Sequence, residues 1–196
     1  MIALSLLLCA SGDAFADGTR TWPRIDLAVD VTYAGAPRTK PDRDLFTAGA
    51  GMHLWIDVLY FSIGFGAEGV TPSTMSFGPY EARLWRVPLD ISARGGIMLG
   101  RFDLHANFGA ALTIEHIESA DLAGSKSRTR LANGFRPAIG LAYWLLDNLA
   151  VFVEVESTII YDHWRLQLGP NDGTGRVATT PTFWLGGVTG FLVRLR

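Results

Sequence analysis

The sequence predicts an all-β fold: an eight-stranded antiparallel up-and-down transmembrane β-barrel with its apolar face turned outward. Three observations lead there. Apolar and polar residues alternate with period two in eight separate segments. The connections between these segments alternate between short and long. The composition is 48% hydrophobic, 11% aromatic and only 18% charged, with 22 glycines in 196 residues, a mix that suits strands better than helices. That apolar content excludes disorder. The formal net charge of -2, from 17 basic and 19 acidic residues, offers no electropositive footprint for nucleic acid. No run of about 18 apolar residues is present, so the sequence predicts no membrane-spanning helix.

The first element is Ile2–Ala10, a short apolar stretch followed by small and polar residues and then Ala14-Phe15-Ala16. An apolar core before an A-x-A site reads as a secretory signal over residues 1–16, cleaved after Ala16, which leaves residues 17–196 as one barrel domain. Cleavage would remove Cys9, the single cysteine. The exported domain would then hold no disulfide, and a closed sheet is one way to stabilise it without any.

The strands follow in order. In Ile25–Tyr33 the odd positions are all apolar, and Asp26, Ala28, Asp30 and Thr32 form the other face. The second segment sets Phe46, Ala48, Ala50, Met52, Leu54 and Ile56 against Thr47, Gly49, Gly51, His53 and Trp55. The third sets Leu59, Phe61, Ile63, Phe65 and Ala67 against Tyr60, Ser62, Gly64, Gly66 and Glu68. The fourth, from Trp85 to Ile97, opposes Val87, Leu89 and Ile91 to Arg86, Pro88, Asp90, Ser92 and Arg94. The fifth, from Phe102 to Glu115, opposes Leu104, Phe108 and Leu112 to Asp103, His105, Asn107 and Glu115. The sixth places Phe135, Pro137, Ile139, Leu141, Tyr143 and Leu145 against Arg136, Ala138, Gly140 and Ala142. The seventh places Leu149, Val151, Val153, Val155, Ile159 and Tyr161 against Glu154, Glu156, Thr158 and Asp162. The eighth places Phe183, Leu185, Phe191, Val193 and Leu195 against Thr182, Trp184, Gly190 and Arg194.

Short connections are expected near Asp57-Val58, Gly100-Arg101 and Asp147-Asn148. Long ones are expected at Ala34–Arg43, Val70–Ala82, Glu118–Asn133 and His163–Thr180, where turn formers and surface charge gather. A two-residue turn at Gly100-Arg101 places Leu99 opposite Phe102. It then sets Arg94 opposite Asn107, Asp90 opposite Ala111 and Arg86 opposite Glu115, with an Arg86–Glu115 ion pair expected. Gly49, Gly51, Gly64 and Gly66 are expected to leave a trough filled by larger inward side chains such as Arg94 or Glu154.

Alternation alone does not say which face points inward. The polar face carries many glycines, which suits a narrow filled lumen better than a wet surface. Its cations are arginines, and the only lysines, Lys40 and Lys126, fall in long connections; arginine suits desolvated, paired charge. The apolar faces run 9 to 13 residues, enough to cross a bilayer as tilted strands. In hydrocarbon only a closed barrel gives every strand backbone group a partner. Tyr33, Phe46, Trp85, Phe135, Tyr161 and Phe183 fall near the long-loop ends, and Phe61, Phe102, Tyr143 and Phe191 near the short turns, which predicts two aromatic girdles.

With this strand count, this loop rhythm and phrases such as Arg86-Val87-Pro88-Leu89 and Leu149-Ala150-Val151-Phe152-Val153-Glu154, the chain from about Trp22 to Arg196 resembles the small outer-membrane β-barrels, the OmpA-type transmembrane domain and its OmpX-like relatives. The resemblance implies a barrel in a Gram-negative cell outer membrane, with termini in the periplasm and long loops outside. It implies outer-membrane lipid, lipopolysaccharide and the barrel-assembly machinery as partners, and a monomer. Members commonly end in an aromatic residue, whereas this chain ends Phe191-Leu192-Val193-Arg194-Leu195-Arg196.

An eight-stranded lumen is filled by side chains. The inward polar network would comprise Asp26, Asp30, Arg86, Asp90, Arg94, His105, Glu115, Arg136, Glu154, Glu156 and Arg194. Buried charges need partners, so a neutralised plug is expected, with a gated ion path as the functional alternative. The expected role is structural or surface-interacting and non-enzymatic. An acyl hydrolase acting on lipid A or phospholipid would draw on His116, Glu118, Ser119 and Asp121 at the barrel rim. A soluble lipocalin-like barrel would exchange the two faces. Asp162, His163 and Arg165 read as a solvated rim. His53, His105, His116 and His163 lie on separate elements, so no metal cluster is expected. Gly64-Phe65-Gly66 and Gly186-Gly187 sit inside strands, where they cradle no phosphate, so no cofactor is expected.

Overall fold

Alternation carries through the computed structural model, which describes residues 24–36, 45–58, 60–77, 80–119, 127–169 and 176–195. The expected signal segment, 1–16, lies outside the described residues. The strands are β1 (Ile25–Ala36), β2 (Leu45–Val58), β3 (Phe61–Val70), β4 (Ser73–Phe77), β5 (Tyr80–Leu99), β6 (Phe102–Glu118), β7 (Ser127–Leu146), β8 (Leu149–Ile160), β9 (Arg165–Leu168), β10 (Arg176–Thr179) and β11 (Phe183–Leu195). The sheet runs β3-β2-β1-β11-β8-β7-β6-β5-β4, and β3 also pairs with β5. That pairing closes an all-β, antiparallel, eight-strand barrel, because β4 continues β3 along the same neighbour past Thr71-Pro72. β9 and β10 form a separate two-stranded hairpin at the long-loop end.

The β5–β6 register is the one a turn at Gly100-Arg101 requires: Leu99 faces Phe102, Arg94 faces Asn107, Asp90 faces Ala111 and Arg86 faces Glu115. Gly100 has φ of 64°, a left-handed conformation that favours glycine. The turn at Asp147-Asn148 joins Leu146 to its partner Leu149. The first short turn falls later than expected, since β2 runs to Val58, which pairs with Phe61.

Two expected long loops are partly strand. β4 and the start of β5 occupy most of Val70–Ala82, and the first residues of β7 pair with β6 from Glu118↔Ser127 onward. The proline and charge content of those stretches resembles that of loops, while β-ladders satisfy their backbone instead. The last long connection contains the β9–β10 hairpin.

Each mid-strand proline coincides with a gap in one ladder. β3 pairs with β5 from Ser62↔Arg94 to Ala67↔Leu89, and β4 resumes at Ser73↔Leu84, so the stretch ending at Pro88 has no partner on that side. In the β7–β8 ladder the pairing passes from Phe135↔Ile159 to Ala138↔Glu156 and omits Arg136 and Pro137. Proline supplies no N–H, so it fits a strand where a ladder is interrupted.

The barrel is inverted relative to a soluble one. Ile139 is 64% exposed and Val155 60% exposed, with Val29, Val31, Phe65, Ile91, Phe108, Val153 and Phe191 also on the outside. Asp30, Glu68, Arg86, Asp90, Arg94, His105, Glu115, Arg136 and Glu156 are buried within. At the long-loop end the interior is apolar: Leu45, Met75, Leu84, Ile117, Ile160 and Trp184 pack with Leu166 of the β9–β10 hairpin. At the short-turn end Trp55, Trp144, Phe152, Val188 and Leu192 form a second apolar cluster.

The trough left by the glycines is filled by side chains other than Arg94 and Glu154. A Cβ on Gly64 would collide with the Trp55 ring, and one on Gly66 with His53 and Asp90. Gly51 lies beside Asp30 and Glu68. Cross-strand neighbours β2 and β3 occupy the space because their own large residues lie directly opposite the glycines. Gly64→Leu should therefore overpack the lumen and lower unfolding stability by about 1–3 kcal/mol. Gly69→Leu, where a Cβ meets nothing within 4 Å, should leave the midpoint of a urea titration of the refolded barrel unchanged.

Candidate functional site: the charged lumen

Inward positions on β1, β2, β3, β5, β6, β7 and β8 converge at mid-barrel. The centre is Arg136 of β7, 5% exposed. It donates to Glu68 of β3, to Asp90 of β5 at 3.2 Å and to Glu156 of β8, whose Oε2 accepts from Nε at 2.9 Å. One planar guanidinium thus joins four strands, a task its fork of donors suits. His53 of β2 bridges Asp30 and Asp90: Nδ1 lies 3.0 Å from Asp30 Oδ2 and Nε2 lies 3.2 Å from Asp90 Oδ1. The two bonds need two hydrogens between the ring and its two carboxyl partners, one on each side. Ser92 donates to Asp90 Oδ2 at 3.0 Å.

Toward the short turns a second group forms around His105 of β6. Arg94 Nη2 lies 2.8 Å from His105 Nδ1, and His105 Nε2 lies 2.8 Å from Glu154 Oε1. Asn107 donates to Glu154 Oε2 at 3.0 Å. Arg94 also sits 3.6 Å from Asp103 and 5.4 Å over the Trp55 ring. At the rim of that end, Asp26 receives Arg24 and Arg194, each at 3.3 Å, and Arg194 stacks 3.7 Å over Trp144.

Toward the long loops, Arg86 and Glu115 face each other in register, but the expected ion pair is replaced. Glu115 Oε2 accepts from Arg130 Nε at 2.7 Å, while Arg86 stacks 3.4 Å over Trp184 and donates to Thr47 Oγ1 at 3.4 Å. Arg130 pairs directly across from Glu115 on β7, within the stretch expected to be a long connection. Arg130 Nη2 also donates to the Asp162 carbonyl at 2.9 Å, and its guanidinium lies 5.2 Å from the Trp164 ring, which ties the β8–β9 connection to the mouth.

All eleven residues singled out from the sequence occupy inward positions, in three groups. Among the further polar residues that join them without having been singled out are His53, Glu68, Asp103, Asn107 and Arg130. The first four lie on the same alternating faces and are detectable by that signal.

The rim residues considered for hydrolysis do not assemble. His116 and Ser119 have opposite parity on β6 and its extension, so they point to opposite sides. His116 contacts Thr129 at 2.7 Å and Glu118 at 3.3 Å, whereas the Ser119 hydroxyl donates to the Glu81 carbonyl. Asp121 lies outside the described residues. Arg165 meets His163 at 3.3 Å on the exposed rim. Among the described residues no three His, Cys, Asp or Glu side chains are placed to hold a metal ion directly.

Removing Arg136 alone should strand three carboxylates. Arg136→Met should cost about 3–5 kcal/mol in unfolding, with part regained in the double variant Arg136→Met, Glu68→Gln. At the mouth, a double-mutant cycle should give a larger coupling for Glu115 with Arg130 than for Glu115 with Arg86. Chemical unfolding of the refolded barrel reads both.

No family model matches the chain, and no curated protein matches it. Solved structures do. The outer-membrane protein OprG from Pseudomonas aeruginosa superimposes with a TM-score of 0.60 at 12% identity, covering 89% of this chain and 96% of that one. Neisserial surface protein A gives 0.55 at 13% identity, covering 87% and 96%. A major outer membrane protein from Thermus thermophilus gives 0.54 at 12%, covering 86% and 99%. The chain therefore has the fold of the small eight-stranded outer-membrane β-barrels.

Proposed function

We propose that this protein is an integral barrel of a bacterial outer membrane, exported by its N-terminal signal, with a structural or surface-interaction role and no catalytic one. The inversion of the barrel carries this reading. Apolar side chains cover the outside while charged groups of both signs are gathered within. In water that arrangement would expose a large apolar belt and bury charge for no gain. In lipid the same belt is solvated by hydrocarbon, and closure through β3 and β5 gives the wall strands backbone partners on both sides over most of their length. A soluble lipocalin-like barrel requires the opposite placement of both faces.

Two aromatic levels support the orientation. Tyr33, Phe46, Trp85, Tyr161 and Phe183 are exposed toward the long-loop end, and Phe61, Phe102 and Phe191 toward the short turns, as interfacial girdles would be. Outer-membrane lipid and lipopolysaccharide are the environment this belt fits, and the barrel-assembly machinery is the insertion route. The protein acts as a monomer, since every wall strand already has two neighbours. The name of one structural neighbour, Neisserial surface protein A, supports display of the loops at the cell surface. The separation of His116 from Ser119 argues against the acyl-hydrolase alternative.

Fractionation tests the reading. The protein should be recovered in outer membranes and should run faster unheated than boiled on an SDS gel. Recovery in the soluble periplasm, or identical mobility, would reject it. Protease added to intact cells should cut within the long connections expected from the sequence, at 34–43, 70–82, 118–133 or 163–180, and spare the Gly100-Arg101 and Asp147-Asn148 turns. The reverse pattern would invert the topology.

A further inference from the structure

We infer that His105 is a proton-operated latch: with Nδ1 bare it holds Arg94 across the lumen, and with both ring nitrogens protonated it releases Arg94 toward the short-turn mouth. His105 Nδ1 faces a donor and an acceptor at once. Arg94 Nη2 lies 2.8 Å away, the Asp103 carbonyl oxygen 3.3 Å away and Asp103 Oδ1 3.7 Å away. A guanidinium only donates, so in the contact with Arg94 the ring nitrogen accepts and carries no hydrogen. Nε2 then carries the ring's one hydrogen and gives it to Glu154 Oε1 at 2.8 Å. A second ring proton would sit on Nδ1. That nitrogen would turn to Asp103 as its acceptor, and its contact with Arg94 would become an opposition of two cations.

Arg94 has somewhere to go. Among the described residues it donates one hydrogen bond, the one to His105. It also lies 3.6 Å from the Asp103 carboxylate and 5.4 Å from the Trp55 ring. A cavity of about 100 Å³ opens beside it at the short-turn end and is lined in part by Asp26, Asp57 and Asp103. Arg24 and Arg194 already hold Asp26, and Ser62 donates to Asp57 at 2.6 Å. The Asp103 carboxylate is therefore the partner at hand for a released guanidinium. Its side chain is 18% exposed, so the same carboxylate offers a proton a route from the cavity to Nδ1.

Charged and titratable groups surround the ring. Arg94 of β5 opposes a second proton, while Asp103 of β6 and Glu154 of β8 attract it. Across the cavity stand Asp26 of β1 beside Arg24, Asp57 of β2 and Tyr60 of the following turn. His53 of β2 stacks behind Trp55, with 6.3 Å between ring centroids. β7 brings Gly140, where a Cβ would collide with the His105 ring. Asn107 donates to Glu154 Oε2 at 3.0 Å, which steadies the Nε2 side of the ring while Nδ1 changes partner.

Release of Arg94 changes what the lumen connects. Trp55 and Arg94 line both the short-turn cavity and the one at mid-barrel, so these two side chains form the partition between them. Once Arg94 withdraws, Trp55 stands there without it. Acidity at the short-turn mouth is thereby coupled to access to the charged centre around Arg136.

The test uses the full barrel refolded in detergent, with isotopic nitrogen labels in its histidine and arginine side chains. Nuclear magnetic resonance then reports which ring nitrogens carry hydrogen. At alkaline pH the His105 ring should carry hydrogen on Nε2 and none on Nδ1. On acidification Nδ1 should gain a proton. With the same midpoint, the Arg94 guanidinium hydrogens should exchange with water about tenfold faster, as loss of a hydrogen bond implies, after correction for the pH dependence of exchange itself. His105→Phe should abolish that step and identifies the ring signal. If this variant does not fold, replacing the other histidines one at a time identifies the signal by elimination. Hydrogen on Nδ1 at alkaline pH would overturn the inference. So would a ring that takes its second proton while Arg94 exchange stays unchanged, or one that keeps a single hydrogen down to acid unfolding.

Discussion

The interior is organised around one buried guanidinium. Lipid on the outside leaves polar side chains only one place to go, and in a narrow lumen they must neutralise one another. Arg136 does this for three carboxylates from three other strands. Because those partners come from β3, β5 and β8, the contact fixes the far walls relative to β7 as well as balancing charge. A shift of one strand by two residues would keep every face correct and yet separate this group. The arginine thus specifies the register that alternation leaves open.

The remaining packing follows from how space is shared around that centre. Glycines on β2 and β3 face Trp55, His53 and Glu68, so small residues on one strand admit large ones on the next. Among the guanidiniums that lie over indole rings are Arg86 on Trp184, Arg94 on Trp55 and Arg194 on Trp144. Stacking lets a charge sit beside an apolar cluster with less loss than burial alone would bring. The Arg86 and Arg94 stacks stand where the charged middle meets the two apolar ends, and the Arg194 stack stands at the rim.

Much of this architecture is legible in the amino-acid sequence. Period-two alternation depends only on the pleat, so the eight strands and the two faces can be read directly. The two-residue turn at Gly100 fixes one register because its geometry is local. Partners across the lumen are not legible, since they depend on strand tilt and on which side chains reach over the axis. Glu115 shows this: Arg86 lies opposite it on one neighbour, but Arg130 on the other neighbour holds the carboxylate. Arg130 is hidden because Lys126, Arg128 and Arg130 together resemble a solvated loop. The alternation of Arg130, Ala132 and Gly134 is nonetheless continuous with β7. Pro88 and Pro137 carry a subtler signal, since each marks a break in one ladder.

The closure of the wall has a consequence for how the protein is made. β1 pairs along most of its length with β11, from Ile25↔Leu195 to Gly35↔Leu185. The first strand of the barrel therefore waits for the last before its outer hydrogen bonds can form. A nascent chain still on the ribosome has no stable barrel to adopt, and a chain lacking its final hairpin would offer two bare edges to its neighbours. The wall is thus complete only as a whole sheet: until its first and last strands meet, both carry an unpaired edge.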